Sequence, residues 1–389
     1  MLVLVLLGIF CVVATLILLN LLGKLNRAPF LAKGGGTHPG GACPFISVIV
    51  PMRNEERNVL RCIEGLIAQD YDDYEIIAVD DGSSDNTLPM LRELEREHSM
   101  LSIVECAEKP DGWIGKNFAL VEGVKRARGA LLLFVDADTY AEPELLSTAL
   151  AYLEERRLDM LSLFPFQEVR SFWERVVQPT VFTAIAATFP FESVNDPEGK
   201  HAAACGQFIL IRREVYDAVG GHEAVRDKIV EDFELAKLVK GRGYRLGVAD
   251  GRGLIRTRMY EGLAEVWEGW TKNLFPGIEH DWWMFARGFV RMFAWGLLPT
   301  ILLIVFSVRA FYDRGAGWVD VAIILECLWL VSLNVFLSLK QSARLGIPRR
   351  YALLCTLGYA MFLALVAASA YKVTSGRGVT WKGRTYRDV

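Results

Sequence analysis

Residues 1–22, MLVLVLLGIFCVVATLILLNLL, carry no charged side chain. An apolar run of that length matches the hydrocarbon thickness of a bilayer, so part of this chain must fold against lipid. The run has no basic n-region, it is longer than the apolar core of a signal peptide, and no small-residue cleavage site follows. It therefore reads as a retained anchor. Lys24, Arg27 and Lys33 follow directly and place the next domain in the cytoplasm by the positive-inside rule. Long apolar runs return after residue 290, so a hydrophobic fraction of 52% beside 23% charged residues is that of a soluble domain framed by membrane segments.

Three spans are expected within 294–371, roughly 294–312, 318–338 and 351–371. The loop KQSARLGIPRR, 340–350, is basic and should be cytoplasmic. The tail 372–389 is basic too, with Lys372, Arg377, Lys382, Arg384 and Arg387, although a third crossing would put it outside. Charge and count disagree there, and one re-entrant segment would reconcile them. The chain is expected in the inner membrane as a multi-pass protein with a cytoplasmic domain.

Residues 23–44 contain KGGGTHPGG and form a Gly-rich linker. Over 45–281 strand patterns alternate with helical ones. The strand candidates are FISVIVP (45–51), YEIIAVDDGS (74–83), LSIVEC (101–106) and ALLLFVDAD (130–138). EERNVLRCIEGLIAQ, DNTLPMLRELEREH and KNFALVEGVKRARG have helical spacing, and Gly129 suits a C-terminal cap for the last. The alternation predicts an α/β domain, a mostly parallel sheet with helices on both faces and its ligand at the strands' carboxyl ends. The apolar segment 176–191 is short and contains Pro179, so it is expected to be interfacial or buried. In WWMFARGFVRMF, 282–293, Arg287 and Arg291 share one helical face amid aromatics, the pattern of a helix in a membrane surface.

Two carboxylates, Asp136 and Asp138, end the apolar strand of VDADTY. In extended chain they would point the same way and repel unless a cation lies near. Further carboxylates recur at strand ends and loops: Glu55, Asp80, Asp81, Glu231 and Asp232. Such a set suits Mg²⁺ or Mn²⁺, which prefer oxygen ligands and bring phosphates with them. No P-loop and no G-x-G-x-x-G follows a first strand, which argues against ATP hydrolysis and dinucleotide cofactors. Seven scattered cysteines with no C-x-x-C pair point to free thiols and no zinc site.

SVIVPMRNEE, VDDGSSDNT, GKNFAL, VDAD and EDFELA, in this order, resemble the inverting family-2 glycosyltransferases of GT-A fold. The likeness covers about 45–275. GWIGKNFAL, GWTKN and the tail WKGRTY, with the membrane layout, narrow it to members that glycosylate membrane lipids, such as carotenoid, hopanoid-associated and ceramide glucosyltransferases. The resemblance implies that Asp81 recognises the nucleotide base, that Pro51 and Glu55 line a uridine pocket, and that Lys116 approaches the nucleotide or its diphosphate. It implies that Asp136 faces ribose and metal, that Asp138 ligates the metal, and that Asp232 is the general base. A solvated lysine or a dipole-favoured carboxylate at a helix start would read alike for Lys116 and Asp232.

Polymerising and ceramide-type relatives carry Q-x-x-R-W after the base. Here the region reads EVWEGWTKN, with Trp270 and Lys272 in place of Arg-Trp, and Lys272 would steady the departing diphosphate. The missing signature argues against a polysaccharide-chain synthase. Gly206, Gln207, Trp270, Met259 and Tyr260 are candidates for an acceptor pocket, though core packing would explain Met259, Tyr260, Gly206 and Gln207 as well. His222 fits a turn. The expected activity is metal-dependent transfer of one sugar, glucose from UDP-glucose, to a hydroxyl or carboxyl of a lipid: a carotenoid, hopanoid, sphingolipid or glycerolipid. The expected partners are that donor, that acceptor and the membrane, with no nucleic acid. The rival reading is a catalytically silent scaffold or transport subunit that keeps the fold.

Overall fold

The computed structural model describes residues 2–26, 29–34, 43–312, 317–376 and 378–386. Most of the expected Gly-rich linker lies outside the described residues, as do Arg27, Arg377, Arg387 and the Lys24 side chain.

Twelve strands form among the described residues: β1 (Ile46–Met52), β2 (Tyr74–Asp80), β3 (Leu101–Glu105), β4 (Leu131–Phe134), β5 (Thr139–Ala141), β6 (Met160–Phe164), β7 (Phe166–Gln167), β8 (Ile209–Arg212), β9 (Leu246–Asp250), β10 (Ile255–Thr257), β11 (Val379–Trp381) and β12 (Arg384–Tyr386). Seven of them make one sheet in the order β3-β2-β1-β4-β8-β6-β9. It is parallel except where β8 runs against β4 and β6. Period-two alternation sends Ile46, Val48 and Val50 into one core layer and Ile49 into the other, beside Ile77 and Val79. Such strands are buried on both faces, which is why they read as unbroken apolar runs.

The helices are α1 (Leu2–Asn26), α2 (Val59–Ile67), α3 (Thr87–Glu97), α4 (Gly115–Arg126), α5 (Leu145–Glu155), α6 (Phe172–Thr188), α7 (Phe191–Asn195), α8 (Arg213–Val219), α9 (Glu231–Gly241), α10 (Leu263–Asn273), α11 (Trp282–Met292), α12 (Leu298–Tyr312), α13 (Trp318–Arg344) and α14 (Cys355–Thr374). Helix α4 ends at Arg126, so Gly129 is not its cap. A Cβ at Gly129 would stand 2.6 Å from the Leu131 oxygen and the Ser47 nitrogen, and backbone crowding is the reason for glycine there. The segment around Pro179 is the interior of α6, which starts at a Ser171–Glu174 capping box and buries Val177 and Val181.

Register fixes where the ends of the strands meet. Pro51 pairs with Val79 and Met52 with Asp80, while Ile49 lies beside Phe134. The carboxyl ends of β1, β2 and β4 therefore share one sheet edge, the usual ligand position in open α/β sheets.

Among the described residues three helical segments are long and apolar enough to cross a membrane, Trp282–Tyr312, Trp318–Arg344 and Arg349–Thr374, and Leu4–Asn20 of α1 is a shorter apolar helix. The expected surface helix at 282–293 is not a separate body, because α11 continues through a π turn, Phe293–Leu297, into α12. No proline interrupts the chain between Met292 and Leu298. Helices α1 and α13 run in the same direction: Leu7, Cys11 and Ala14 pack with Ile323, Cys327 and Leu330, and the Trp329 indole donates to Thr15 Oγ1 at 3.2 Å. The chain leaving α1 bonds to β9 (Leu31 N to Asp250 O, 3.0 Å), and Gln341 near the end of α13 donates to Thr183 of α6 at 3.1 Å.

Helix α14 touches the α/β unit at both ends. Tyr351, just before it, lies under Arg175 of α6 at 5.4 Å, and in its last turns Ser369 accepts from the Phe275 N–H and Lys372 donates to Thr271, each at 2.9 Å. The tail that follows is an antiparallel hairpin, β11–β12, seated on the same unit.

Candidate active site

The site is built where the chain leaves β1, β2 and β4. Beyond β1, Glu55 is held by its own N–H donating to Thr87 Oγ1 at 2.7 Å, and its carboxylate accepts from Asn58 Nδ2 at 2.7 Å. Beyond β2, Asp81 enters a turn through Gly82, whose φ of +66° suits glycine. Both carboxylates are ion-paired with the tail hairpin, Glu55 with Lys382 and Asp81 with Arg384.

Strand β4 stops at Phe134, earlier than the apolar pattern predicts. The Thr139 N–H and hydroxyl both donate to the Asp136 carbonyl, at 3.2 and 2.8 Å, and fold the dyad into a turn. Asp136 and Asp138 still line the same cavity. Charge near them comes from Lys116, in the first turn of α4, whose Nζ lies 2.6 Å from Asp136 Oδ1 and 2.7 Å from Glu231 Oε1. The two carboxylates hold the Lys116 ammonium well above its ordinary range against burial.

Among the described residues Asp138 has no such partner. Burial first, then the charges of Asp136 and Glu55, push its carboxyl up to about 7, and its Oδ1 is buried without a hydrogen bond. Among the described residues no group of three or more carboxylate, thiol or imidazole side chains stands together as a metal site. Two carboxylates with one unsatisfied buried oxygen fit a hard cation that brings phosphate ligands of its own.

Asp232 lies in the first turn of α9. Its Oδ2 accepts the Gly206 N–H at 2.8 Å and its Oδ1 the Phe233 N–H at 2.9 Å. Burial, reinforced by the neighbouring Glu231 charge and opposed by Lys116, pushes the carboxyl up to about 7. A carboxylate poised there can take a proton near neutral pH. Lys272, in the last turn of α10, sits over the Trp381 ring at 4.2 Å, and burial pulls its ammonium down to about 8.

One cavity of about 630 Å³ joins these groups. Its lining includes Pro51, Glu55, Asp81, Lys116, Asp136, Asp138, Gly206, Gln207, Asp232, Trp270 and Lys272, so every site residue expected from the sequence borders it. Gln207 holds its place through Gln167 (3.1 Å) and Thr257 (3.3 Å), and Trp270 stands edge-on to Tyr260 and Phe182. The same cavity is lined by Met284, Phe285, Arg287, Phe289 and Arg291 of α11 and by Phe362 and Val366 of α14. His222 is outside it, buried against Tyr216 and pushed down to about 4 by burial, as a turn residue would be.

Sequence reasoning did not assign roles to Glu231, Trp381, Lys382 or Arg384. Glu231 was visible only as one more carboxylate in EDFELA, and the tail only as basic residues. Pairs separated by more than 300 positions leave no local signal. All seven cysteines are free.

The profile of the family described as "Glycosyl transferase family 2" matches residues 47–220. The 4,4'-diaponeurosporenoate glycosyltransferase of Staphylococcus aureus strain USA300 is 27% identical over 346 residues, 88% of each chain. The homologous enzyme of strain MRSA252 is 26% identical over the same span. Among solved structures, the mannosyltransferase PcManGT from Pyrobaculum calidifontis, in complex with GDP-Man and Mn²⁺, superposes with a TM-score of 0.52 at 20% identity, covering 95% of this chain and 97% of that one. At that identity the likeness speaks for the fold, which is GT-A. Residues 47–220 are thus a family-2 glycosyl transferase domain, and the chain is a glycosyltransferase.

Proposed function

We propose that this enzyme transfers one sugar from a nucleoside diphosphate donor, UDP-glucose, to the polar end of a long apolar lipid of carotenoid type, at the cytoplasmic face of the inner membrane. The observation that carries the reading is the two-ended cavity. Its acidic end holds Asp136, Asp138 and Asp232, and its other end is walled by the apolar side chains of α11 and α14. The S. aureus relatives are named for glycosyl transfer involving a diaponeurosporenoate, a carotenoid acid, which fits an acceptor of that kind.

Membrane geometry supports the same reading. With α1, α12 and α13 crossing, their globular-side ends meet at the α/β unit. Helix α14 is long and apolar enough to cross as well, but it is tied to that unit at both ends, and in this reading it is the segment that does not cross. This layout returns the basic tail to the cytoplasmic side, in line with its charge.

In the proposed reaction the acceptor O–H, a hydroxyl or the protonated carboxyl of a lipid acid, lies against Asp232. Its oxygen bonds to the anomeric carbon from the face opposite the leaving group, its proton passes to Asp232, and the bond from that carbon to the diphosphate oxygen breaks with its electron pair leaving on the diphosphate. The anomeric configuration inverts. Glycine at 206 keeps the approach to Asp232 open, since a Cβ there would stand 3.3 Å from the carboxylate and 3.0 Å from Lys116. Lys116 balances Asp136 and Glu231, and Lys272 faces the charge that develops on the diphosphate. Asp136 and Asp138 would hold Mg²⁺ or Mn²⁺, which would supply charge neutralisation for the diphosphate when bound.

Lipid extracts from cells with and without this protein test the reading. An apolar lipid heavier by one hexose only where the protein is present is the expected result, and unchanged lipids together with a new polysaccharide would overturn it.

A further inference from the structure

The tail hairpin is built into the donor end of the cavity. Val379 is buried with Ile114 and Ile229, and the Tyr386 hydroxyl accepts from the Gly115 N–H at 3.4 Å, at the start of the helix that carries Lys116. Its two-residue turn is Lys382–Gly383, with φ of +45° and +78°. A two-residue turn of positive φ favours Asn, Asp or Gly at its first position, so a lysine there is held against its backbone preference. That strained position delivers the Lys382 ammonium into the cavity beside Glu55, while Arg384 pins the hairpin to Asp81.

The cations around the acidic end are unequally committed. Lys116 is shared by two carboxylates, and Arg53 donates to the backbone carbonyls of Gly82 and Lys382. Among the described residues Lys382 has one carboxylate partner, and Glu55 keeps a second donor in Asn58. The ammonium groups of Lys272 and Lys382 lie 4.2 and 6.0 Å from the centre of the same ring, Trp381. Two lysines gathered at one indole, in the cavity that Asp136 and Asp138 also line, form a cradle for a ligand with more than one negative charge.

We propose that the C-terminal hairpin is part of the donor site and that Lys382 binds the diphosphate of the nucleotide sugar, leaving Glu55 for it when the donor enters. Arg384 is a positioning residue that anchors the strand carrying this lysine. The inference rests on the donor reading above and deepens it by assigning the diphosphate a ligand outside the family-2 domain.

Isothermal titration of the full-length detergent-solubilised protein with UDP and with uridine tests it. Lys382→Gln should weaken UDP about 10-fold or more, the scale of one charge-assisted contact, and leave uridine unchanged. Equal losses for both ligands would make the hairpin a structural wall only, and no loss would remove Lys382 from the site; either overturns the proposal. Glu55→Gln combined with Lys382→Gln should stay as weak toward UDP, relative to Glu55→Gln alone, as Lys382→Gln is relative to wild type. Recovery in the double variant would mean that Lys382 merely neutralises Glu55, which also overturns it. Wild-type protein that binds neither UDP nor GDP would instead sink the donor reading, and this inference with it.

Discussion

The Asp232 carboxylate accepts the Gly206 N–H at 2.8 Å, which fixes the candidate base against a residue with no side chain. Replacing Asp232 by Asn keeps the size of the group and removes its basicity. Transfer should fall by about 10² or more while UDP binding stays as in wild type. An equally steep loss of nucleotide affinity would place Asp232 in the donor pocket instead.

Two groups set the expected pH profile. Asp232 accepts a proton only when ionised, and burial holds it at about 7, so transfer should rise with pH through about 7. Lys272 offers charge only when protonated, and burial holds it at about 8, so transfer should fall above about 8. Arginine stays charged throughout, so Lys272→Arg should lose the descending limb. If the limb persists in that variant, Lys272 is not its source.

Asp138 has the unsatisfied buried oxygen expected of a metal ligand. In the presence of UDP, Asp138→Ala should bind Mn²⁺ far more weakly than wild type, read directly from the free Mn²⁺ resonance signal. Equal Mn²⁺ uptake by the variant would remove Asp138 from the metal site.

Helix α11 has no buried residue, and Trp283 is 73% exposed. In the proposed membrane reading its aromatics suit the headgroup layer, where Arg287 and Arg291 would meet anionic lipid at about 1 kcal/mol per arginine. Arg287→Glu with Arg291→Glu should slow transfer to a bilayer-embedded acceptor and spare donor hydrolysis. Both arginines border the cavity as well, so a matching loss with a short-chain soluble acceptor would assign them to the pocket rather than to the lipid surface.

Much of the α/β unit was legible because its strands are buried on both faces and its motifs are local. Pro51, Glu55, Asp81, Lys116, Asp136, Asp138 and Asp232 all fell at strand or helix ends and all reach one cavity. The extended dyad was misread because a threonine hydroxyl at 139, not the apolar pattern, ends the strand. Gly129 was misread because crowding and capping select the same residue. The hairpin's grip on Glu55 and Asp81 was invisible, since hydropathy reports burial but not which distant segment provides it. The two-ended tie of α14 was hidden in the same way: its composition is that of a span, and hydropathy says nothing of the bonds that Ser369 and Lys372 make to the α/β unit.

Reconstituted full-length protein, supplied with radiolabelled UDP-glucose and vesicles carrying a carotenoid carboxylic acid, tests the proposed transfer most directly. Label should move into the organic-soluble lipid with wild-type protein and not with Asp232→Asn, at equal UDP affinity. Label that stays in the aqueous phase with wild-type protein, or that enters the lipid equally with the variant, would contradict it.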